Sequence, residues 1–257
     1  MPGRVYFWDE RVLYVGPGLA AGLHAHHAVQ ACLPLSGPVR LRSSPGARWG
    51  SYDGAVIPSD VPQSDTPVAR LVTLWLDAET PEARRLVEPG RQAIVAISAS
   101  KLRVIVPPLR AWWDDLHDGQ QATRLLDDVV RVLAPGERPS GPLDLRVVRA
   151  RELLHSAPMR RLKFSDLAAA VSLSPSRLAH LLRAQLGLPV RRYLLWLRLR
   201  DALREIARGA TTTEAAYAAG FADAPHLDRT FRRMFGFTPS ALRRASTFVQ
   251  DGLSPRV

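Results

Sequence analysis

Three histidines, His24, His26 and His27, stand within four positions of the chain, and Gln30 follows His26 by four residues. Imidazole binds divalent transition metals, and a catalytic centre needs about four ligands, usually with a carboxylate and one open position. In an extended segment alternate side chains share a face, so His24, His26 and Gln30 point one way and His27 the other. Two imidazoles and a neutral amide make a poor ligand set. The same face also suits a polar binding surface without metal, and no metal or cofactor is expected.

The elements that carry these residues are read from short apolar runs. Val12–Val15, Ala28–Leu35, Val39–Leu41, Ala55–Ile57 and Ala69–Leu76 are separated by Gly, Pro and Ser clusters every eight to twelve residues. That rhythm predicts a small all-β sandwich or barrel over residues 1–80. Pro81 opens a short helix through Val87. Residues 91–106 read as strand or helix, and Pro107-Pro108 is expected to close the run. Leu109–His117 and Gln121–Leu133 read as helices split at Asp118-Gly119, and the second carries a Leu125, Leu126, Val129, Val130, Leu133 stripe. The tract APGERPSGP, 134–142, is a linker by composition.

Charge divides the chain. Residues 1–142 carry 15 Arg/Lys against 15 Asp/Glu, whereas residues 143–250 carry 19 against 8, which accounts for the net +11. A neutral half joined to a basic half is the electrostatic footprint of a polyanion binder. No apolar window is long enough for a membrane span, and no secretory leader opens the chain, so a cytoplasmic location is expected. Cys32 is the lone cysteine, which excludes an intrachain disulfide and a cysteine-rich zinc module.

From residue 143 only helices are predicted: Leu145–His155 ending near Pro158, Ser165–Val171, Pro175–Leu186, 190–207, Thr213–Ala219, Asp223–Phe235 and Pro239–Arg244. Two stretches repeat. FSDLAAAVSLSPSRLAHLLRAQLG (164–187) and TTEAAYAAGFADAPHLDRTFRRMFG (212–236) pair Leu182 with Phe231 and Gly187 with Gly236, both 49 residues apart. Each reads as a short helix, a turn and a longer helix, the arrangement in which the second helix enters the DNA major groove. Ser174 and Asp223 cap the second helices, and Gly220 frees the second turn. Leu178, Leu181, Leu182 and Leu186, and likewise Leu227, Thr230, Phe231 and Met234, form the inward faces.

Residues 145–244 resemble the AraC/XylS family of bacterial transcription regulators. LAAAVSLSPSRLAHLLRAQLG resembles its first motif, and Tyr193-Leu194 with LRLRDA its joining helix. TEAAYAAGFADAPHLDRTFRRMFGFTPSAL resembles its second, more diagnostic motif. The resemblance implies that Ser176, Ala179, His180 and Arg183 face DNA from one helix and Ala224, Pro225, His226, Asp228 and Arg229 from the other. Arginine matches guanine O6 and N7, so Arg183 and Arg229 are candidates for base contact. Arg177, Arg191, Arg192, Arg232 and Arg233 suit phosphate. Ser172 stands at the first turn where the family usually has glycine, Ala179 and Ala224 are short for readers, and Pro225 lacks a donor.

GLAAGLHAHHAVQACLPLSG resembles the first cupin motif, with Gln30 in place of the metal-binding glutamate. AVIPSDVPQSD stands at the second motif, with Gln63 in place of the last histidine. The resemblance implies a cupin-like barrel that keeps its cavity after losing its metal ligands, as in the sensing half of AraC-type regulators. His24, His26, Gln30, Trp49, Tyr52, Gln63 and Trp75 are then expected to line an effector pocket.

The expected protein is an α+β two-domain regulator. Residues 1–106 form a cupin-like all-β sensor, 107–142 a helical dimerisation and linker segment, and 143–250 an all-α domain with two helix-turn-helix motifs. Its partners are double-stranded promoter DNA, a second copy as a homodimer, an effector of unknown identity and possible contact with RNA polymerase; it is not expected to be an enzyme. One alternative is a cupin-type metalloenzyme with an accessory DNA-binding domain. Another is a DNA-repair alkyl acceptor using Cys32, which lacks the second cysteine a zinc-activated thiolate needs.

Overall fold

The structure, a computed structural model, describes residues 2–87, 91–114, 119–136, 143–155, 163–186 and 189–249. Nine strands open the chain: β1 (Gly3–Phe7), β2 (Arg11–Gly16), β3 (Ala21–His24), β4 (Val29–Pro34), β5 (Val39–Arg42), β6 (Gly50–Tyr52), β7 (Ala55–Ile57), β8 (Gln63–Asp65) and β9 (Leu71–Leu76). Helix α1 (Pro81–Leu86), strand β10 (Val95–Ala96) and helices α2 (Ala99–Asp114) and α3 (Gly119–Leu133) follow. The rest is helical, with α4 (Leu145–His155), α5 (Phe164–Ala170), α6 (Pro175–Leu186), α7 (Val190–Ala207), α8 (Thr212–Ala218), α9 (Ala224–Phe235) and α10 (Pro239–Ala245), until a last strand, β11 (Ser246–Val249).

The strands form two sheets, one of seven in the order β10-β7-β4-β9-β2-β1-β11 and one of four in the order β3-β8-β5-β6. The closed barrel expected from the strand rhythm is therefore not made: among the described residues no ladder joins the two sheets. The small sheet is built from strands of three or four residues, and its β3–β8 pairing is broken by a bulge between Ala21 and His24. Such short, irregular strands leave few ladder bonds with which to close a barrel.

Alternation assigns the two faces of the large sheet. Val29, Ala31 and Leu33 of β4 join Leu13, Val15, Val72, Leu74 and Leu76 in one apolar core. Helices α2 and α3 cover that core through Ile105, Leu109, Trp112, Ala122, Leu126 and Val129. Cys32 of β4 and Ala55 and Ile57 of β7 belong to a second, smaller core with Val39, Leu41 and Val61. Gln30 and Trp75 pair across the β4–β9 ladder.

Two readings of the sequence need correction. Pro107 and Pro108 lie inside α2 instead of closing the preceding run. A proline inside a helix forfeits a backbone bond at a cost of about 3 kcal/mol. Ile105, Leu109, Trp112 and Trp113 are all buried against the sheet, and each such side chain contributes about 1.5–3 kcal/mol. Tertiary burial therefore outweighs the local penalty, and the helix runs across position 106, where the sensor was expected to end. His26, in turn, belongs to the β3–β4 connection and not to a strand. The expectations for His117, Asp118, Pro158, Gly187 and residues 137–142 lie outside the described residues.

The described residues divide into two compact units. The β-rich unit comprises the residues up to 136 together with those from Asp228 onward, so it includes most of α9, α10 and β11. The helical unit runs from 143 to Leu227. Its centre is α7, which buries Tyr193, Trp196, Leu199, Ala202 and Ile206. His155 of α4 meets the Tyr193 hydroxyl at 3.0 Å.

Candidate functional site

Helices α5 and α6 form the first helix pair. Leu173 N–H reaches back to Ala168 O at 2.9 Å and Ser172 N–H to Ala169 O at 3.0 Å, the paired bonds of a helix that ends through a left-handed residue. That residue is Ser172, with φ 55°. Ser174 then accepts from Arg177 N at 3.2 Å and starts α6 as expected. Leu178, Leu182 and Leu186 are buried, while Ser176, Arg177, His180 and Arg183 are exposed and Ala179 is half-buried.

The turn between α8 and α9 repeats these bonds. Phe221 N–H bonds Ala216 O at 2.8 Å, Gly220 N–H bonds Tyr217 O at 3.1 Å, and Gly220 has φ 77°. Asp223 Oδ1 accepts from His226 N at 2.6 Å and caps α9. Leu227, Thr230, Phe231 and Met234 are buried, as the repeat predicted. Pro225, Arg229, Arg232 and Arg233 are exposed; Ala224, His226 and Asp228 are half-buried, and the His226 ring stands edge-on to Phe221 at 5.2 Å. Arg191 and Arg192, at the start of α7, are exposed too. Both second helices thus keep cationic side chains in solvent over an apolar inner face, which suits a polyanionic partner.

The β-rich unit holds a different kind of site. Buried His26, Gln30 and Gln63 meet half-buried Trp75 in one cluster. Gln30 Oε1 accepts from Gln63 Nε2 at 2.7 Å and from Trp75 Nε1 at 3.1 Å, and lies 2.7 Å from His26 Nε2. On its other side His26 Nδ1 stands 3.0 Å from Ala28 O. A neutral imidazole has one proton to give, so it donates either to Ala28 O or to Gln30 Oε1. When Nδ1 carries the proton, Nε2 can accept from Trp75 at 3.2 Å or Gln63 at 3.1 Å. Burial lowers the His26 pKa and keeps the ring neutral. Burial, reinforced by His26, pushes His24 down to about 4; its Nδ1 donates to Gly22 O at 2.8 Å.

Gln30 Nε2 donates to Cys32 Sγ at 2.9 Å. Burial, with Asp65 adding to it, pushes the Cys32 thiol up to about 12, so it is a protonated core residue and not a nucleophile. Burial likewise raises the Asp65 carboxyl to about 7. Around His26 the positions that a metal-binding cupin would fill with a glutamate and a histidine hold the carboxamides of Gln30 and Gln63. His27 faces elsewhere, between Glu79 Oε2 and Ser59 Oγ at 3.1 Å each. The structure does not bring Trp49 into the cluster: Arg40 and Arg42 lie over its ring at 5.7 and 4.6 Å. Tyr52 packs against the small core that contains Cys32, Val39 and Leu41.

Sequence reasoning missed Phe235, the last residue of α9. Its ring centroid lies 6.0 Å from His26 and 6.0 Å, edge-on, from Trp75. The FRRMFG run carried an apolar signal at this position but no indication of what it would pack against. Strand β11 was missed as well, because Ser-Thr-Phe-Val is too short a β-prone run to distinguish from a helix end.

A family model described as a helix-turn-helix domain matches residues 167–245. The chain is 38% identical over 79 residues to the HTH-type transcriptional activator RhaS of Escherichia coli (strain SE11), covering 30% of this chain and 28% of RhaS. A putative AraC-like transcription regulator of Streptomyces lividans is 31% identical over 109 residues, 42% of this chain and 36% of that protein. The chain spans between 28 and 55% of the length of such curated relatives. In fold it is similar to ToxT from Vibrio cholerae O395, with a TM-score of 0.58 at 10% identity over 92% of this chain and 98% of that one. Another ToxT structure, from strain SCE256, is bound to an unsaturated fatty acid and superposes with a TM-score of 0.52 at 11% identity, over 92% of this chain and 95% of that one. Residues 167–245 thus form a helix-turn-helix domain similar to that of RhaS and of AraC-like transcription regulators.

Proposed function

We propose that this protein is a one-component transcription regulator that binds promoter DNA through two helix-turn-helix motifs, α5–α6 and α8–α9. The observation that carries the reading is the match over 167–245, within which both second helices leave arginines in solvent. Motifs inserted on one face of the duplex would enter major grooves about 34–36 Å apart. Arg183 and Arg229 are assigned to bases, with Ser176, Ala179, His180, Ala224, Pro225, His226 and Asp228 beside them. Arg177, Arg191, Arg192, Arg232 and Arg233 are assigned to phosphates. Sensing is assigned to the sheets together with α2 and α3, which cover their core across position 106, and DNA binding to the helices from 143 onward, with the exposed side of α2 and α3 left for dimerisation. Contact with RNA polymerase would follow from promoter binding.

The sensor's ligand site is assigned to the His24, His26, Gln30, Gln63 and Trp75 cluster, with Tyr52 and Trp49 at greater remove. Its neutral rings and amides suit a polar, uncharged or weakly acidic small molecule. The fatty acid held by ToxT is in keeping with a small-molecule effector. Genome-wide mapping of bound DNA followed by footprinting tests the proposal. Protection of two successive major-groove segments, with affinity falling steeply as salt rises, is the expected result. Absence of any protected site at low salt would refute it.

A further inference from the structure

The C-terminal end of α9 is tied into the β-rich unit by backbone as well as side chains. Gly22 N–H donates to Gly236 O at 3.2 Å and Ala25 N–H to Arg233 O at 3.3 Å. Gly22 lies in the β3 bulge between Ala21 and His24, and a bulge leaves a residue out of its ladder, free to bond elsewhere. The approach is close. At Gly236, φ is 79° and a Cβ would meet Gly22 O at 2.7 Å and the Ala21 Cβ at 2.8 Å. Only glycine fits there.

Ten residues further on, β11 lies beside β1 with Gly3, Arg4, Val5 and Tyr6 opposite Ser246, Thr247, Phe248 and Val249. Phe7 and Phe248 stack at 6.0 Å. This is the sole parallel pairing among the described strands; every other ladder is antiparallel. A parallel pair is slightly weaker per residue. Here it is four residues long and sits at a sheet edge, where opening disturbs no further strand.

We propose that β11 is a releasable strap: paired with β1, it holds the end of α9 against β3 and restrains the second helix-turn-helix motif, and its release raises affinity for DNA. The inference rests on the DNA-binding function proposed above. A groove-binding helix must take the register its partner motif and the duplex impose. While the strap is closed, any register other than the tethered one requires breaking the Gly22–Gly236 and Ala25–Arg233 bonds and the packing of Phe235 on Trp75. The same Phe235 touches the His26 cluster, so an occupant that moves Trp75 acts on the tether directly.

The test compares the full chain with a version ending at Ala245 and with full-length Phe248→Asp, on a mixed-sequence DNA duplex at low salt and by amide exchange. Both variants should bind DNA more tightly, on the order of 5-fold, and Gly22 and Ala25 amides should exchange faster. A full-length Arg4→Cys/Thr247→Cys pair reads the opposite direction: adjacent strands lie within disulfide reach, so oxidation should weaken binding and reduction restore it. Faster exchange with unchanged or weaker DNA binding would overturn the strap's restraining role. Unchanged exchange at Gly22 and Ala25 in both released variants would overturn the strap itself. Failure of the unmodified chain to bind any duplex would instead overturn the DNA-binding function, a result seen before any variant is made.

Discussion

The turns that join α5 to α6 and α8 to α9 have the same backbone bonds and unequal local chemistry. Both first helices end through a left-handed residue, but it is Ser172 in one and Gly220 in the other. The left-handed region costs a residue with a Cβ roughly 1–2 kcal/mol. Helix α8 starts with a complete capping box, Thr211 and Glu214 bonding each other's backbone N–H. Helix α5 starts at Lys163 with no side-chain cap. The second pair therefore states its structure in its own residues. The first relies more on what packs around it, with α4 and α7 on its flanks and Leu167, Leu178 and Leu182 buried. One turn geometry is reached twice, once by local signals and once by tertiary packing.

The largest effects should come from the shared apolar faces. Phe231 and Leu182 occupy matching positions and both are fully buried. Phe231→Ala should destabilise by about 3–5 kcal/mol and Leu182→Ala by about 2–5 kcal/mol in urea unfolding. If Leu182→Ala costs the more, the first pair is the one held by packing. DNA binding weighs the pairs next. Arg183→Ala and Arg229→Ala should each weaken binding by about 1–3 kcal/mol if the arginine reads a base. A loss confined to a salt slope lower by about one, uniform across sequences, would reassign that arginine to phosphate.

The turns should respond in opposite directions. Ser172→Gly should stabilise and Gly220→Ala destabilise, each by about 1 kcal/mol. A Cβ at Gly220 meets nothing nearer than the Arg198 side chain at 3.6 Å, so the cost there is conformational and not steric. Equal responses of one sign would mean that Ser172 and Gly220 carry the same backbone strain. The caps come last: Thr211→Ala should lose about 1 kcal/mol and Lys163→Ser gain about 0.5–1 kcal/mol in thermal unfolding. A neutral Lys163→Ser would mean that α5 is set wholly by its neighbours.

The helical half was legible because its signals are short-range and redundant. Ser174 and Asp223 cap where the sequence placed them, and Leu178, Leu182, Leu227 and Phe231 face inward at helical spacing. In the β-rich half β2, β4, β5, β7 and β9 were legible as apolar runs, while the shorter or more polar β1, β3, β6 and β8 were not, nor was closure, which depends on ladders between segments far apart in the chain. The cluster was half legible. His24, His26, Gln30, Gln63 and Trp75 come together, but the bond from Trp75 to Gln30 spans 45 residues, and nothing local separates Trp75 from Trp49, which stacks under arginines instead.

Residue types and their local spacing were enough to fix the charge division, the repeated stretches, the caps at Ser174 and Asp223 and the exposed arginines. Each of these follows from residue types and spacing within a few turns of chain. Only the tertiary structure decided that Pro107 and Pro108 sit inside a helix, that two carboxamides close around His26, and that residues 246–249 leave the helical run to edge the large sheet. Those outcomes turn on burial and backbone pairing supplied by distant segments. Such contributions, at about 1.5–3 kcal/mol per buried apolar side chain, are large enough to override local preference and are invisible to it.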